Sequence, residues 1–461
     1  MLTYFKREPG FYKKLLALAF PMIIQNLITN SLGLVDTFMV GVLGEGPLAG
    51  VTLANIPIFV VQLMMFGIQS GAAVLISQYW GRRDEQSIQR VMGLSMGLAG
   101  ILTLIFSLIV TLIPEQFMGL FGNDPQIVAV AVRYARIVCW SYFADSFVLM
   151  YVGAHRAMGN PQRGMYILVV SMVSNTFLNW VLIFGKLGAP RMEVEGAALA
   201  TLLARCISFA IMVIWALRDK KFTINPAVFF RPGRDMVLRF IRIALPVMCN
   251  ETFWSLGTSM YTTVMGHMDG SQEILAAYAI AGNITNLCSV GVFAIAGTAS
   301  ILIGQEIGSG NTGKVKSLGG LLDVLSLIFG LVIGLVFLGL LHIFVRPVLY
   351  PLFDLSAQSA RICTMMLTVI FLSMWARSFC TTNIVGVLRG GGDVKMAALI
   401  DIAPLWLVAV PLAALCGLVF RAGILWVYLA MTMEQVVKCA IGQLRYRSGK
   451  WIRDVTLGTE L

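Results

Sequence analysis

The chain has 461 residues, 58% hydrophobic and 12% charged, with a formal net charge of +11. A soluble domain carries about 25% charged residues, so this composition excludes an ordinary soluble fold. The basic excess does not point to nucleic acid, because the lysines and arginines recur in loops between apolar runs.

About 20 apolar residues cross a bilayer as a helix. Runs of that order follow one another at 15–43, 48–79, 92–113, 126–153, 163–184, 196–217, 237–266, 273–304, 316–345, 357–388, 394–419 and 423–444. Period-two alternation, which would mark a membrane barrel, is absent. The expected fold is an all-α integral membrane protein with twelve transmembrane helices. The first run is too long for a signal-peptide core and lacks a small-residue cleavage site, so it reads as a retained signal anchor.

Basic residues gather at Lys6, Arg7, Lys13 and Lys14, at Arg82, Arg83 and Arg90, at Arg156 and Arg163, along Arg218–Arg234, at Lys314 and Lys316, at Arg389 and Lys395, and at Arg445–Arg453. These are the two ends of the chain and alternate loops. The opposite loops hold fewer. The positive-inside rule then places both termini in the cytoplasm, on a multi-pass protein of the cell (inner or plasma) membrane. The eight cysteines stand singly, mostly inside apolar runs, and read as small packing residues. His155, His267 and His342 lie at span ends and read as solvated. No metal site is expected.

The chain repeats itself. LAFPMIIQN (18–26) matches IALPVMCNE (243–251) at an offset of 225. VLISQYWGRRD (74–84) matches ILIGQEIGSGN (301–311) at 227, and VGAHRAMGN (152–160) matches VGVLRGGGD (385–393) at 233. Each half holds six spans, an even number, so both start on the same side. The repeats are parallel, related by an axis along the membrane normal. The expected organisation is an N-lobe over 1–217, a polar cytoplasmic linker over 218–236 and a C-lobe over 237–461. Such two-lobed bundles hold substrate near the midplane and expose it alternately.

These motifs resemble those of the multidrug and toxic compound extrusion (MATE) family, in its bacterial NorM-like and DinF-like branches. The resemblance covers nearly the whole chain. FPMIIQNLITNSLGLVDTFMVG (20–41) resembles the family's first helix, with Pro21 followed 15 residues later by Asp36. LNWVLIFGKLGAP (178–190) with EGAALAT (195–201) resembles its fifth and sixth helices. VGVLRGGGD (385–393) resembles its tenth-helix ending. The resemblance implies a secondary antiporter that exports amphipathic, often cationic compounds in exchange for Na⁺ or H⁺. It implies that Asp36 binds the cation or proton among Asn175, Asn179 and Thr201. Some branches carry Asp where this chain has Asn179, which leaves one proton acceptor fewer here. The alternative role for the three polar partners is plain interhelical hydrogen bonding.

A carboxylate inside a bilayer costs a few kcal/mol and faces a cavity, pairs with a cation or takes a proton. Asp36, Asp145, Glu251 and Asp401 are read as the deep acids. NorM-like members carry a functional acid at the position of Ser378, which the repeat pairs with Asp145, so Asp145 either takes over that role or pairs structurally with Arg136 or another group. The same members carry a seventh-helix Glu at the position of Trp254. Glu251 lies about one turn earlier, and its repeat counterpart is Asn26. Arg377 lies roughly 16 Å from its helix end at about 1.5 Å per residue and needs a partner. Glu251 and Asp401 are the acids of its half, and the three are expected to form either an ion or substrate site or a static ion pair. Pro21 and Pro246 hold equivalent places in the leading helices, as gating kinks or fixed bends.

No P-loop, GxSxG or HExxH motif occurs. An enzyme is not expected, no cofactor is needed beyond the coupling ion, and energy would come from an ion gradient. The expected partners are small organic cations and membrane lipids, with the chain acting as a monomer. The alternative is a flippase for lipid-linked oligosaccharides, which would need a cavity lined by Arg and Lys. Arg377 is the one cation near mid-depth.

Overall fold

The structure is a computed structural model that describes residues 10–122, 124–219, 225–352 and 355–457. Lys6, Arg7, Lys220 and Lys221 lie outside the described residues. Among the described residues the secondary structure is helical, apart from one isolated bridge between Gly392 and Ile452. Among the described residues there are twelve long helices. They are α1 Phe11–Gly41, α2 Glu45–Gly81, α3 Glu85–Leu112, α4 Pro125–Ala157, α5 Pro161–Phe184 and α6 Glu193–Arg218. There follow α7 Arg234–Gly266, α8 Ser271–Gly308, α9 Thr312–Leu349, α10 Ala357–Arg389, α11 Val394–Val419 and α12 Ile424–Ser448. Eleven are long and apolar enough to span a membrane. The other, α7, has 33 residues and falls in the seventh expected span, but Arg239, Arg242, Asn250 and Glu251 dilute its apolar character. The expected all-α, twelve-helix membrane class holds.

Local sequence explains where helices begin. Asp84 caps α3 by accepting from the Ser87 backbone N–H, and Asp124 does the same for Gln126 at the start of α4. Pro125 and Pro161 stand in the first turns of α4 and α5, where a missing N–H costs nothing. Further along, α9, α10 and α11 loosen into π-helical turns at Leu341–Leu349, Thr382–Arg389, Leu405–Ala409 and Leu415–Val419. Pro347 lies inside one of these and Pro404 directly before another, as expected where a proline removes a backbone donor.

The chain divides into two compact units. The first is Pro21–Met248; the second is Cys249–Leu461 together with the chain start up to Phe20. These limits do not coincide with the polar 218–236 linker. They fall inside α1 and α7, at Pro21 and two residues beyond Pro246. Within the first unit the reason is close packing of α2 on the early part of α7. A Cβ on Gly67 would lie 2.7 Å from Met248 Cα, and one on Gly71 would lie 2.6 Å from Ala244 Cα. Only glycine lets two helix backbones approach so closely. Arg239 Nη1 also donates to the Tyr79 hydroxyl at 2.9 Å.

The internal repeat is visible in the packing of each unit. In the first, α4 packs on α2, α3 and α6, and α5 on α6; in the second, α10 packs on α8, α9 and α12, and α11 on α12.

The second unit encloses two apolar clusters, one around Met265, Ala277, Cys363 and Leu405, the other around Ile303, Val387, Leu388 and Trp451. Trp451 reaches the latter because the segment after α12 folds back onto the end of α10. A Cβ on Gly391 would lie 2.3 Å from Trp451 Cε3, and Gly392 adopts a φ of +92°. The Arg453 backbone N–H donates to Gly391 O at 2.8 Å. Asp393 accepts from Arg445 at 2.7 Å and pairs with Arg453 at 3.4 Å. The RGGGD stretch is therefore a seat for the C-terminal segment.

One sequence expectation changes here. His155 is buried, not solvated, with its ring 4.3 Å from that of Tyr151. Cys380 and Cys439, on α10 and α12, pack with their sulfurs 2.6 Å apart.

Candidate functional site

In the first unit, one hydrogen-bonded chain joins the four polar residues of the Asp36 set. Asn179 Nδ2 donates to Asp36 Oδ1 at 2.6 Å and to Asn175 Oδ1 at 3.1 Å. Asn175 Nδ2 donates to Thr201 Oγ1 at 3.2 Å, and that hydroxyl donates to Ala197 O at 3.1 Å. Asn175 and Asn179 are one helical turn apart on α5, so both amides face the same way. Both are 1% exposed, while Asp36 is half-buried. None of the described residues forms an ion pair with Asp36. Tyr134 and Tyr142 on α4 and Arg205 on α6 lie within electrostatic range of it. The arrangement offers a desolvated carboxylate with one fixed amide donor and, among the described residues, no ion-pair partner. Asn179 Oδ1 is also buried and unpartnered, a second oxygen beside the carboxylate.

Asp145 does not pair with Arg136. It pairs with Arg205 Nη1 at 2.8 Å, and Arg136 turns to Glu115 at 2.9 Å. Nine residues separate Asp145 and Arg136, which places them on different faces of α4, whereas Arg205 meets Asp145 across the α4–α6 interface.

In the second unit, the expected trio of Glu251, Arg377 and Asp401 does not form. Glu251 Oε1 accepts from Arg389 Nη1 at 3.1 Å, with the arginine side chain 2% exposed. Asp401 pairs with Lys438 at 2.8 Å and accepts from Asn250 Nδ2 at 3.1 Å. Arg377 is half-buried and forms no ion pair with any described residue; its charge is felt by Tyr278 and Tyr428. Arg389, assigned to a cytoplasmic loop from sequence, sits instead in the π-helical end of α10, under the C-terminal segment. A long side chain at a helix end can reach back into the bundle.

Several buried polar residues escaped the sequence reading. Glu434 and Lys438 share one face of α12, 3.9 Å apart, and Glu434 Oε2 accepts from the Tyr261 hydroxyl at 3.2 Å. Asp323 on α9 is 3% exposed and accepts from Asn383 Nδ2 at 2.8 Å. The available signal was position: Asp323, Glu434 and Lys438 all fall well inside expected spans.

The two units carry an equivalent joint. Arg156 Nη2 donates to Gln25 Oε1 at 2.7 Å, and Gln25 Nε2 donates to Pro161 O at 2.6 Å. Arg156 and Arg389 are repeat partners, as are Gln25 and Asn250. In each unit the arginine ending the fourth or tenth helix grips the leading helix just past its proline.

Comparison with known proteins agrees with this architecture. The MatE family model matches residues 21–181 and 246–415. The chain is 24% identical over 461 residues to the probable multidrug resistance protein NorM of Thermotoga maritima, covering 99% of this chain and 97% of that one. It is 27% identical over 413 residues to the protein of the same name from Mesorhizobium japonicum, covering 88% and 87%. Its fold is similar to that of a MOP superfamily transporter from Pyrococcus furiosus, described as having a binding pocket of reverse polarity; the TM-score is 0.84 at 22% identity, covering 95% and 96% of the two chains. The matched segments open at the two repeat prolines' helices and take in both units, and on that basis this chain belongs to the MatE family of multi-pass membrane transporters.

Proposed function

We propose that the protein is a secondary antiporter that exports amphipathic organic cations in exchange for Na⁺ or H⁺, with Asp36 as the residue that binds the coupling ion. The observation that carries this reading is the contrast in counter-ions. Asp145, Glu251 and Asp401 each have an arginine or lysine within 3.1 Å. Asp36 has an amide and, among the described residues, no ion pair, so its carboxylate is left for an exchangeable cation. The names of the relatives support the cargo class. Asn179 positions the carboxylate, Asn175 and Thr201 hold Asn179, and the prolines at 21 and 246 are the points about which the two leading helices flex during alternating access. Both termini are cytoplasmic in this reading.

The test is efflux of a fluorescent organic cation from loaded proteoliposomes under an imposed Na⁺ or pH gradient. One of the gradients drives efflux in the wild type, and Asp36→Asn abolishes the driven component. Asn179→Ala removes a hydrogen bond to a charged group, about 1.5–3 kcal/mol, so the ion concentration for half-maximal efflux shifts by about 10- to 100-fold. Efflux that ignores both gradients sinks the antiporter reading. A second reading, movement of a lipid carrying an anionic head group, rests on the uncommitted Arg377. It requires that Arg377→Gln abolish lipid translocation while Asp36→Asn does not.

A further inference from the structure

The last helix of each unit carries a cation at the same repeat position. Arg205-Cys206 on α6 and Lys438-Cys439 on α12 are 233 residues apart, the offset already found between the RGGGD stretch and its counterpart. The same offset sets Thr201 against Glu434 and Asp145 against Ser378. Asp36 on α1 has Tyr261 on α7 as its counterpart, at 225. At these two paired positions each unit has one acid, contributed by opposite members: Asp36 facing the Thr201 chain in the first unit, Glu434 accepting from Tyr261 in the second.

The difference lies in what holds the last-helix cation. Asp145 on α4 binds Arg205 at 2.8 Å. In the second unit the equivalent residue is Ser378, whose hydroxyl donates to Ser326 O at 2.7 Å and offers no charge. Lys438, 4% exposed, is thereby released from α10. Its ammonium lies 2.8 Å from Asp401 and 3.9 Å from Glu434. Asn250, 1% exposed, donates to Asp401 through Nδ2, and its Oδ1 is buried with no hydrogen-bond partner. Two carboxylates thus face the ammonium, and carboxylate oxygens are hard donors that also hold small metal cations.

We propose that the Lys438 ammonium is the resident cation of the second unit, tethered between Asp401 and Glu434 in the place a free monovalent cation would otherwise occupy. A protein with this arrangement binds exchangeable cation in the first unit and keeps the second permanently filled. An ammonium on a flexible stem can shift between the two acids without leaving them.

The test uses purified protein in detergent and needs no transport. Thermal stability is measured in NaCl, methylammonium chloride and N-methylglucamine chloride at equal ionic strength, the last being too large to enter. In the wild type, any Na⁺-specific shift is unchanged by Asp401→Asn. Lys438→Ala acquires a saturable stabilisation by Na⁺ or methylammonium over N-methylglucamine, and the Lys438→Ala/Asp401→Asn variant loses it. Lys438→Arg, which keeps a charge in place, acquires none. If Lys438→Ala does not fold, Lys438→Gln/Glu434→Gln, which leaves a single acid, carries the same expectation. A wild-type Na⁺ shift that Asp401→Asn abolishes overturns the proposal. So does a lysine-free variant that responds equally to all three salts, or failure of both lysine-free variants to fold in any of them.

Discussion

The Glu251–Arg389 pair tests whether a buried carboxylate is a strut or a site. The side chains are 14% and 2% exposed and meet at 3.1 Å. Arg389→Ala leaves Glu251 without its counter-charge. Breaking a buried pair from one side costs about 3–5 kcal/mol. The repeat partner supplies a milder perturbation, because in the first unit Arg156 grips the amide oxygen of Gln25 at 2.7 Å. Glu251→Gln reproduces that chemistry and keeps an acceptor for the guanidinium, so its cost is set at about 1–2 kcal/mol, the difference between charged and neutral hydrogen bonds. With about 2–4 °C lost per kcal/mol for a unit of roughly 200 residues, Arg389→Ala lowers the melting temperature by about 6–20 °C and Glu251→Gln by about 2–8 °C. Scanning fluorimetry of the detergent-purified variants reads both. Gradient-driven efflux of Glu251→Gln is expected to remain. Equal melting losses in the two variants would refute the strut argument. So would a Glu251→Gln protein of wild-type stability that no longer couples, since the carboxylate would then be acting on the ion itself.

Gly71→Val places a side chain where Ala244 Cα already stands 2.6 Å from a Cβ. Overpacking costs about 1–3 kcal/mol, and the yield of monodisperse protein on size exclusion falls, whereas Gly97→Ala, with open space around it, leaves it unchanged. Trp451→Ala empties a fully buried site beside Gly391. Loss of a buried aromatic costs about 3–5 kcal/mol, and protease sensitivity at the C-terminal segment rises before that of any helix.

The fold was legible because a bilayer imposes length and polarity on every span, and because the repeat that pairs Pro21 with Pro246 leaves a plain mark. The Asp36 chain was legible because Asp36, Asn175, Asn179 and Thr201 stand where the resembled family carries its first-helix acid and the polar groups around it. The second unit was harder to read. Pairing there joins residues far apart in sequence, such as Glu251 with Arg389 and Asp401 with Lys438, and several partners are equidistant candidates by depth alone. Arg389 was assigned to solvent because it ends a helix. That inference failed because the segment carrying Trp451 returns to cover that end. Arg205 and Lys438 were not singled out from sequence, although both fall inside expected spans.

The two arginine joints bear on how a duplicated chain can diverge. A guanidinium presents the same N–H groups to an amide oxygen as to a carboxylate, so the joint tolerates either. One half has kept the neutral version at Gln25, while in the other the acceptor has moved by one residue to Glu251. Since the duplication the copies have thus come to differ in charge at the start of their leading helices, while the mechanical link stayed in place. The joint thus lets the two halves differ in charge at this point while the arginine's contact with the leading helix is preserved.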